Sequence, residues 1–268
     1  MVMAERQRGP TAPAIFMRDH AAPTCRMVSS HSGTATEVPI PPYLESTYWW
    51  AYVRPRAVRL FERSWLINLI LWGNYRRLRD VALAMLRNPL PGHTLQLACV
   101  YGDLTCRLSQ RVAASAGKLD VVDVLKVQLQ NLHTKLPADA PVRYLQMNTT
   151  ALALPDAHYD NVLMFFLLHE QPAAVRHATL QEALRVVKPG GQIVIIDFSQ
   201  PYWWNPLRYF WLPVLGLLEP FAPALWQKPS LTELIPTIPA WTMQECHRLF
   251  GGLYQALCLQ KTLPDTPA

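Results

Sequence analysis

Polar side chains that could bind or transform a ligand stand at the ends of apolar runs in the middle of this chain. Asp123 ends the run KLDVVD, and His169 and Glu170 end the longer run YDNVLMFFLLHE. A carboxylate can accept hydrogen bonds from sugar hydroxyls, and histidine exchanges a proton near neutral pH. If the elements before these side chains lie side by side, the chain gains a site that can hold a sugar and move a proton.

Beyond its first third, the chain alternates short apolar runs with amphipathic helical patterns. Helices are expected over 103–115, 124–135 and 172–187, and the last of them ends at VVKPGG. The expected strands are, in chain order, TLQLAC, KLDVVD, VRYLQM, YDNVLMFFLLH and QIVIIDF, followed by a hairpin around Gly251 and Gly252. This order predicts an α/β fold with a doubly wound, seven-stranded sheet that ends in an antiparallel hairpin.

The ligand site is predicted from the geometry of such a sheet, since ligands bind beyond the carboxyl ends of the strands. The first loop at that edge is ACVYGD, residues 98–103. Asp123 lies 21 residues after Gly102, at the spacing where an acidic residue holds a ribose in nucleotide-binding sheets. Asp103 begins the next helix, where aspartate commonly caps the N-terminus, although it also faces the expected site.

Composition divides the chain into three parts. Residues 1–42 are rich in Pro, Ser, Thr and Ala without hydrophobic periodicity, and we expect a mostly disordered leader. A mitochondrial transit peptide is an alternative for this leader, because its arginines outnumber its acidic residues, but it is the less favoured one. Residues 43–92 are expected to form a helical cap that breaks at WGN, residues 72–74. Residues 93–268 are expected to form the α/β domain, with an aromatic insertion at 201–226.

Tryptophan and arginine are concentrated in the cap and the insertion. Eight arginines lie within 54–87, and that segment accounts for the formal charge of +6 of the whole chain. Eight of the nine tryptophans lie within 43–92 or 201–226. Indole and guanidinium groups both settle at the headgroup level of a bilayer, so we expect an anionic membrane surface as partner rather than nucleic acid. The alternative, that both segments only pack together as a roof over the sheet, explains the aromatic residues but not the arginine excess.

The lengths of the apolar runs and the spacing of the cysteines indicate where in the cell the protein is expected. The chain has no uninterrupted apolar run of about 18 residues, which argues against a conventional membrane span, and no apolar core of a signal peptide. Its five cysteines are dispersed without a CxxC pair and are expected to be reduced. We therefore expect a cytoplasmic protein attached peripherally to the membrane, on the mitochondrial matrix side if the source is eukaryotic.

Residues 94–262 resemble the class I S-adenosylmethionine-dependent methyltransferases, particularly the quinone methyltransferases. The resemblance is carried by ALALPDAHYDNVLMFFLLHE and by ALRVVKPGGQIVIIDFS, of which RVVKPGG is the most specific. It implies that Asp123 holds the ribose hydroxyls of S-adenosylmethionine. It also implies that Asn148 and Thr149 lie beside the adenine, although the family usually has aspartate where Asn148 stands.

The first loop departs from that family. Where the family has an acidic residue and then G-x-G-x-G, this chain has Gln96 and then the segment Ala98, Cys99, Val100, Tyr101 and Gly102, which we expect to contact the cofactor. Valine and tyrosine are bulky and disfavour positive φ, so the methionine portion of the cofactor is not expected in its usual place. One reading is a decayed, non-catalytic domain. The other is a pocket that keeps the adenosine contacts and does different chemistry at the amino-acid end.

Three more specific stretches resemble the RquA family of rhodoquinone biosynthesis proteins. They are YWWAYVRPRAVRLFERSWLINLILWGNYRRLRD, ACVYGDLT and PYWWNPLRYFWLPVLGLLEPFAPALW. This resemblance implies conversion of ubiquinone to rhodoquinone, in which an amino group replaces a ring methoxy group, with S-adenosylmethionine as amino donor and Mn²⁺ as metal. Two alternatives stay open, an ordinary quinone or lipid methyltransferase and a non-catalytic, membrane-bound binding module.

The resemblance also suggests roles for individual side chains. His169 could take a proton from the amine or protonate the leaving oxygen, or it could only cap its strand. Tyr101, an aromatic residue in a glycine-rich position, could stack on the quinone or orient the cofactor. Manganese prefers carboxylate and imidazole ligands, and the expected ligands are Asp103, His169 and Glu170, with Asp197 as a further candidate.

Overall fold

The apolar runs of the sequence form one mixed sheet in the computed structural model, which describes residues 38–48, 55–218, 220–223 and 241–263. The strands are β1 (His93–Leu97), β2 (Lys118–Asp123), β3 (Val142–Gln146), β4 (Tyr159–Phe165), β5 (Val187–Phe198), β6 (Trp241–Leu249) and β7 (Tyr254–Lys261). Their order across the sheet is β3-β2-β1-β4-β5-β7-β6. The first five strands are parallel, and β7 pairs antiparallel with both β5 and β6. The predicted seven-stranded, doubly wound sheet with an antiparallel terminal hairpin is confirmed.

Eight α-helices flank or cover the sheet within the described part of the chain. They are α1 (Pro42–Thr47), α2 (Pro55–Phe61), α3 (Ser64–Ile70), α4 (Tyr75–Met85), α5 (Leu104–Ala114), α6 (Lys126–Lys135), α7 (Ala173–Val186) and α8 (Leu207–Leu218). The predicted break at WGN is confirmed, because Trp72 and Gly73 have φ values of 52° and 73° between α3 and α4. A left-handed backbone at two successive residues cannot continue a helix.

The central strands hold the core because both of their faces are covered. Leu95 and Leu97 on β1, Val162 and Leu163 on β4 and the run from Ile193 to Ile196 on β5 are all buried. Near-continuous apolar runs of this kind are typical of parallel strands that lie between two helical layers. The core thus fixes the carboxyl ends of five strands along one edge.

The strand β4 ends four residues earlier than the sequence indicates. Its last residue is Phe165, and the expected strand over YDNVLMFFLLH was wrong at its end. Phe166 has a φ of 55° and donates its N–H to the carbonyl oxygen of Ile196 at 2.7 Å. The chain then forms a short 3₁₀ helix, Leu168–Glu170. The apolar residues continue past the turn because they line a cavity there.

The N-terminal helices and the aromatic insertion meet over this edge of the sheet. The ring of Trp72, after α3, lies 6.1 Å from the ring of Phe210 and 5.1 Å from that of Trp211, both on α8. Near α1, the ring of Tyr43 lies 6.2 Å from that of Phe221. The two segments therefore form a single roof, and residues from both line the cavity below.

Some sequence expectations fall outside the described residues. These are most of the expected disordered leader (1–37), residues 49–54 of the expected cap, residues 219 and 224–226 of the insertion, and residues 264–268 of the α/β domain. Trp49, Trp50, Arg54 and Trp226 lie within these ranges. Within the described chain, no helix has both the length and the apolar character needed to cross a bilayer.

Candidate functional site

A cavity of about 480 Å³ lies where the carboxyl ends of β1, β2, β3, β4 and β5 meet the roof. Its polar lining comes from the loops after these strands, and its apolar lining comes from the roof and from phenylalanines at the strand ends. A cavity of this size, with mostly apolar walls and a few convergent polar groups, has the character of a small-molecule site. Among the described residues that line it, none is lysine or arginine.

Asp123 is the acidic side chain at the end of β2, and it lines this cavity. Its carboxylate accepts hydrogen bonds from the backbone N–H of Cys99 and of Leu125, both at 2.8 Å. Burial raises the pKa of Asp123 to about 6, although these hydrogen bonds act in the opposite direction. The carboxylate thus connects the first loop to the start of α6 and presents an acceptor to the cavity.

The first loop, residues 98–103, forms its turn without the glycines that the family has there. Its positive φ values fall on Ala98 (70°) and Gly102 (85°). The expected conflict between bulky side chains and positive φ is therefore wrong for Val100 and Tyr101, because the turn assigns the left-handed backbone to their neighbours. Ala98 carries the strain instead, at a cost of about 1–2 kcal/mol. Val100 lines the cavity.

Gly102 was expected to contact the cofactor, but it does not belong to the lining of the cavity. Its N–H donates to Oε1 of Glu62 at 2.8 Å. A Cβ at this position would lie 2.4 Å from the hydroxyl oxygen of Tyr75. Glycine is needed here for close packing and for positive φ. Ala98, Cys99, Val100 and Tyr101, the other four expected loop contacts, do line the cavity.

Glu62, between α2 and α3, is a residue that the sequence did not single out. Besides Gly102, its carboxylate accepts hydrogen bonds from Nδ2 of Asn131 and Nζ of Lys135, both at 2.7 Å. One side chain thus fastens the roof to the loop and to α6. The sequence signal was weak, since Glu62 is one of two acidic residues in an arginine-rich segment.

Tyr101 lines the cavity and is also held by packing. Its ring stacks on that of Phe61 at 5.9 Å with an interplanar angle of 22°. Its hydroxyl oxygen accepts a hydrogen bond from Nε2 of Gln128 at 2.9 Å. Burial raises the pKa of Tyr101 well above its ordinary value, so the phenol stays protonated at neutral pH. Packing and a hydrogen bond within the protein therefore account for part of the role of this aromatic residue, beside the expected contact with a ligand.

Asn148 and Thr149 follow β3 and lie on the same cavity as Asp123. Oδ1 of Asn148 accepts the N–H of Thr150 at 3.0 Å, which holds the side chain in a tight turn. The hydroxyl of Thr149 lies 2.9 Å from that of Thr179 on α7 and accepts from Nε2 of Gln171 at 3.3 Å. The structure therefore brings together the three side chains that the resemblance assigns to ribose and adenine.

His169 and Glu170 lie on the 3₁₀ helix after β4, and both line the cavity. Nδ1 of His169 lies 2.9 Å from Oδ1 of Asp197, near the end of β5. Nε2 of His169 lies 3.9 Å from Oε1 of Glu170. Asp197 is fully buried beside the imidazole of His169. From the sequence, Asp197 was only a possible metal ligand, whereas the structure makes it the hydrogen-bond partner of the histidine.

The expected metal ligands are not brought together. Asp103 pairs with Nη1 of Arg79 and with Nε of Arg107, both at 2.7 Å. Burial alone would raise the pKa of Asp103, but the hydrogen bonds from these arginines outweigh it and lower the pKa to about 2. Within the described residues, no group of three or more His, Cys, Asp or Glu side chains could hold a metal ion. The structure therefore does not support the expected ligand set of Asp103, His169 and Glu170.

Asp103 does not cap the helix with its side chain either, although it occupies the N-cap position of α5. The N–H of Leu104 donates instead to the hydroxyl oxygen of Tyr75 at 3.0 Å, and that hydroxyl donates to Oδ1 of Asp103 at 3.2 Å. A tyrosine from α4 thus takes over the capping role. Tyr75 also lines the cavity.

Aromatic rings that the sequence did not assign to the site form much of its wall. Phe165, Phe166 and Phe198 line the cavity, and the ring of Phe166 lies 5.1 Å from that of Phe198. The positive φ of Phe166 is strained for a bulky residue, and such strain is often found at functional sites. These rings offer flat apolar surfaces on which a planar ligand could stack.

The sequence profile of the ubiE/COQ5 methyltransferase family matches residues 65–216. A demethylmenaquinone methyltransferase from Bacillus licheniformis is 27% identical over 192 residues, which are 72% of this chain and 78% of that protein. A ubiquinone/menaquinone biosynthesis C-methyltransferase UbiE from Shewanella pealeana is 35% identical over 111 residues, which are 40% of this chain and 43% of that protein. The chain thus spans less than half the length of this second relative.

Solved structures have the same fold at low sequence identity. An S-adenosylmethionine-dependent methyltransferase from Aquifex aeolicus aligns with a TM-score of 0.51 and 18% identity, over 78% of this chain and 99% of that chain. Another from Mesorhizobium loti aligns with a TM-score of 0.51 and 15% identity, over 68% and 96%. The sheet is that of a class I methyltransferase, and the profile covers more than half of the residues. The chain therefore belongs to the ubiE/COQ5 methyltransferase family.

Proposed function

We propose that the protein binds S-adenosylmethionine in the cavity at the strand ends and transfers a group from it to a quinone that enters below the roof. The observation that carries the proposal is the position of Asp123, Asn148 and Thr149 on one cavity with aromatic walls. The relatives support it by their names, which specify methyl transfer in ubiquinone and menaquinone biosynthesis.

The residues present fit the adenosine half of this co-substrate. Asp123 can accept hydrogen bonds from the two ribose hydroxyls, and Asn148 can bond to the edge of the adenine. The apolar residues Val124 and Leu125, which directly follow β2, also line the cavity and can cover the face of the adenine base. The sulfonium cation suits a cavity with two carboxylates and several aromatic rings, since both attract positive charge. When bound, the co-substrate supplies the group that is transferred.

The reaction we propose is the amination that yields rhodoquinone from ubiquinone, as the resemblance to the RquA family implies. The amine nitrogen of the donor forms a bond to the ring carbon that carries a methoxy group. The nitrogen loses one proton, and the methoxy oxygen gains one and leaves as methanol. The bond between this nitrogen and the α-carbon of the donor then breaks while a proton moves from the β-carbon to the nitrogen, which releases the aminoquinone and leaves the donor as an α,β-unsaturated sulfonium acid. Val100 supports this choice, because this valine stands where the family has glycine and lines the cavity. This bulk favours a different position for the amino-acid end of the donor.

His169 is the residue we assign to proton transfer in this reaction. It lines the cavity and belongs to a buried hydrogen-bonded pair with Asp197. A neutral amine must lose a proton as it adds to the ring, and imidazole is a suitable acceptor near neutral pH. Tyr101 forms part of the wall against which the quinone ring or the donor would pack. No step of the proposal uses Mn²⁺, since the described residues do not assemble the expected ligands.

An anionic membrane surface is the partner we propose for the roof. Its outer side exposes large apolar residues, among them Trp65 (59% exposed), Trp203 (75%) and Leu217 (84%). Exposed arginines flank α3, with Arg63 on one side and Arg76 and Arg77 on the other. Exposed indole rings beside cationic side chains favour the headgroup region of an anionic bilayer. A quinone could then keep its isoprenoid tail in lipid while its ring enters the cavity.

The test is an incubation of the protein with ubiquinone and S-adenosylmethionine, followed by mass analysis of the quinone. Mn²⁺ is included in every arm, so that a missing metal cannot account for a negative result. We expect a product in which NH₂ replaces OCH₃. A product that gains CH₂ would instead establish an ordinary quinone methyltransferase. Binding of the co-substrate without turnover would establish a binding module, and either result would overturn the amination.

A further inference from the structure

Asp197 is the most completely bonded carboxylate near the cavity. It is fully buried. Oδ2 accepts the N–H of Leu168 at 2.8 Å and that of His169 at 3.3 Å. Oδ1 accepts the N–H of Phe198 at 2.7 Å and lies 2.9 Å from Nδ1 of His169. Both oxygens are therefore held by donors from β5 and from the turn after β4, and the carboxylate cannot rotate.

These contacts determine which nitrogen of His169 carries the proton. An ionised carboxylate only accepts hydrogen bonds, so Nδ1 must be the protonated nitrogen in the neutral imidazole. Nε2 is then the nitrogen with the lone pair. The ring is also fixed from its sides, since its centroid lies 4.9 Å from that of Phe198 and 5.8 Å from that of Phe166.

Arg176 also holds the turn after β4, through hydrogen bonds to its carbonyl oxygens. It is almost fully buried on α7. Its Nε donates to the carbonyl oxygen of Leu168 at 2.8 Å, and its Nη2 donates to those of Gln171 at 2.9 Å and Phe221 at 3.1 Å. The guanidinium thus spans both ends of the turn that carries His169 and ties the turn to the roof. Burial lowers the pKa of Arg176, and the negative charge of Asp197 opposes that shift.

We propose that Asp197 and Arg176 are positioning residues for His169. Asp197 selects the tautomer in which Nε2 accepts the proton released by the attacking nitrogen and passes it to the leaving oxygen. Arg176 fixes the turn, so that this nitrogen stays in place beneath the roof, and its charge balances that of the buried carboxylate. The inference rests on the proposed function for the reaction, but the tautomer and the fixed turn are properties of the protein alone.

The first test replaces Asp197 by asparagine, which keeps the shape but places an amide N–H₂ where only acceptors fit. We expect kcat to fall by about 10²–10⁴-fold, the range found for loss of a proton-transfer group, with little change in KM. The matched control is Asp120→Asn. Asp120 is also a buried carboxylate of the sheet, but it pairs with Arg143 and Tyr159 and does not line the cavity. Equal loss of kcat in both variants would overturn the proposal.

A second measurement determines the tautomer of His169 in the wild-type protein, so it requires neither turnover nor a folded variant. In ¹⁵N-labelled wild-type protein, the ¹⁵N shifts of His169 should report a protonated Nδ1 and an unprotonated Nε2, with a downfield Nδ1 proton. The opposite tautomer would contradict the role of Asp197. A wild-type protein with the expected tautomer and no quinone product would instead count against the proposed function.

The role of Arg176 is tested by Arg176→Lys, which keeps the charge but cannot bridge several carbonyl groups. Because the turn would lose its fixed position, we expect kcat to fall by about tenfold to a hundredfold. The control is Arg185→Lys, since Arg185 also bridges backbone carbonyls, those of Leu152 and Leu154, away from the cavity. A kcat for Arg176→Lys equal to that of the control would show that the bridge does not position the histidine.

Discussion

Asp123 combines two properties that make its ligand contact measurable. It is buried, which raises its pKa to about 6, and it lies on the cavity where a ribose would bind. A carboxylate accepts hydrogen bonds from two hydroxyls better than a protonated carboxyl does. Ligand binding therefore favours the ionised form, which predominates above pH 6 and is lost as the pH falls through 6.

We expect Asp123→Ala to weaken binding of S-adenosylmethionine, because two charge-assisted hydrogen bonds would be lost, each worth about 1.5–3 kcal/mol. Wild-type affinity should also decline as the pH falls below 6, and Asp123→Asn should abolish that decline. Isothermal titration between pH 5 and 8 would measure both effects. Asp156→Ala, at an exposed position, is the control. Unchanged affinity in Asp123→Ala would mean that the ribose lies elsewhere.

Val100 and Tyr101 differ in what they contribute to the loop. Replacing both by glycine should reduce amination by about a hundredfold, because the reacting atoms would no longer be held at about 3 Å. The stability cost comes mainly from Tyr101, which would lose its stacking on Phe61 and its hydrogen bond with Gln128. Val100→Gly alone should therefore lose activity with a smaller change in Tm. Turnover of ubiquinone at the wild-type rate by the double variant would show that the bulk of the loop is incidental.

At the scale of elements, Asp103 joins two helices rather than serving the cavity. It connects Arg79 of α4 to Arg107 in the first turn of α5. Its folded-state pKa of about 2 lies below the ordinary value. The ion pairs therefore stabilise the fold above the ordinary carboxylate pKa, and this contribution is lost as the pH falls toward 2. Because the Asp103 side chain is 43% exposed, solvent screens part of the interaction.

We expect Asp103→Asn to lower the free energy of unfolding by about 1 kcal/mol at neutral pH and to have no effect near pH 2. Urea titrations at the two pH values would show the difference. Affinity for S-adenosylmethionine should be unchanged, because Asp103 does not line the cavity. A large loss of affinity in this variant would place Asp103 back in the binding site.

The sequence predicts elements better than it predicts the contacts between them. Periodicity identifies the strands and the terminal hairpin, because burial imposes it locally. It overextends β4, since Phe165 and Phe166 are equally apolar on either side of the turn. It also misses the hydrogen bond between Gly102 and Glu62, which are 40 residues apart. It likewise overlooks Asp197 as the partner of His169, from which it is 28 residues distant in the chain. Such pairs form only when the sheet brings distant segments together.

At the scale of the whole molecule, the apolar face of the roof should bind to anionic vesicles. Each arginine close to the bilayer surface contributes about 1 kcal/mol to the free energy of membrane binding. Salt screens this electrostatic contribution but not the contribution of the tryptophan side chains. We expect flotation with phosphatidylserine-containing vesicles at low salt and partial release at high salt. Trp203→Gln with Trp204→Gln should weaken binding, and Met243→Gln, an exposed residue of β6, should not. Absence of flotation at low salt would remove the membrane as a partner.

The position of β7 between β5 and β6 has a consequence for synthesis on the ribosome. Strand β5 acquires β4 as a neighbour early, but its other edge stays open until residues 254–261 have emerged. During that interval, the apolar run Ile193–Ile196 and a row of unpaired N–H and C=O groups are available to other nascent chains. The growing polypeptide therefore depends on β7 to cover this edge of β5, and shielding by a chaperone would matter most before that strand arrives.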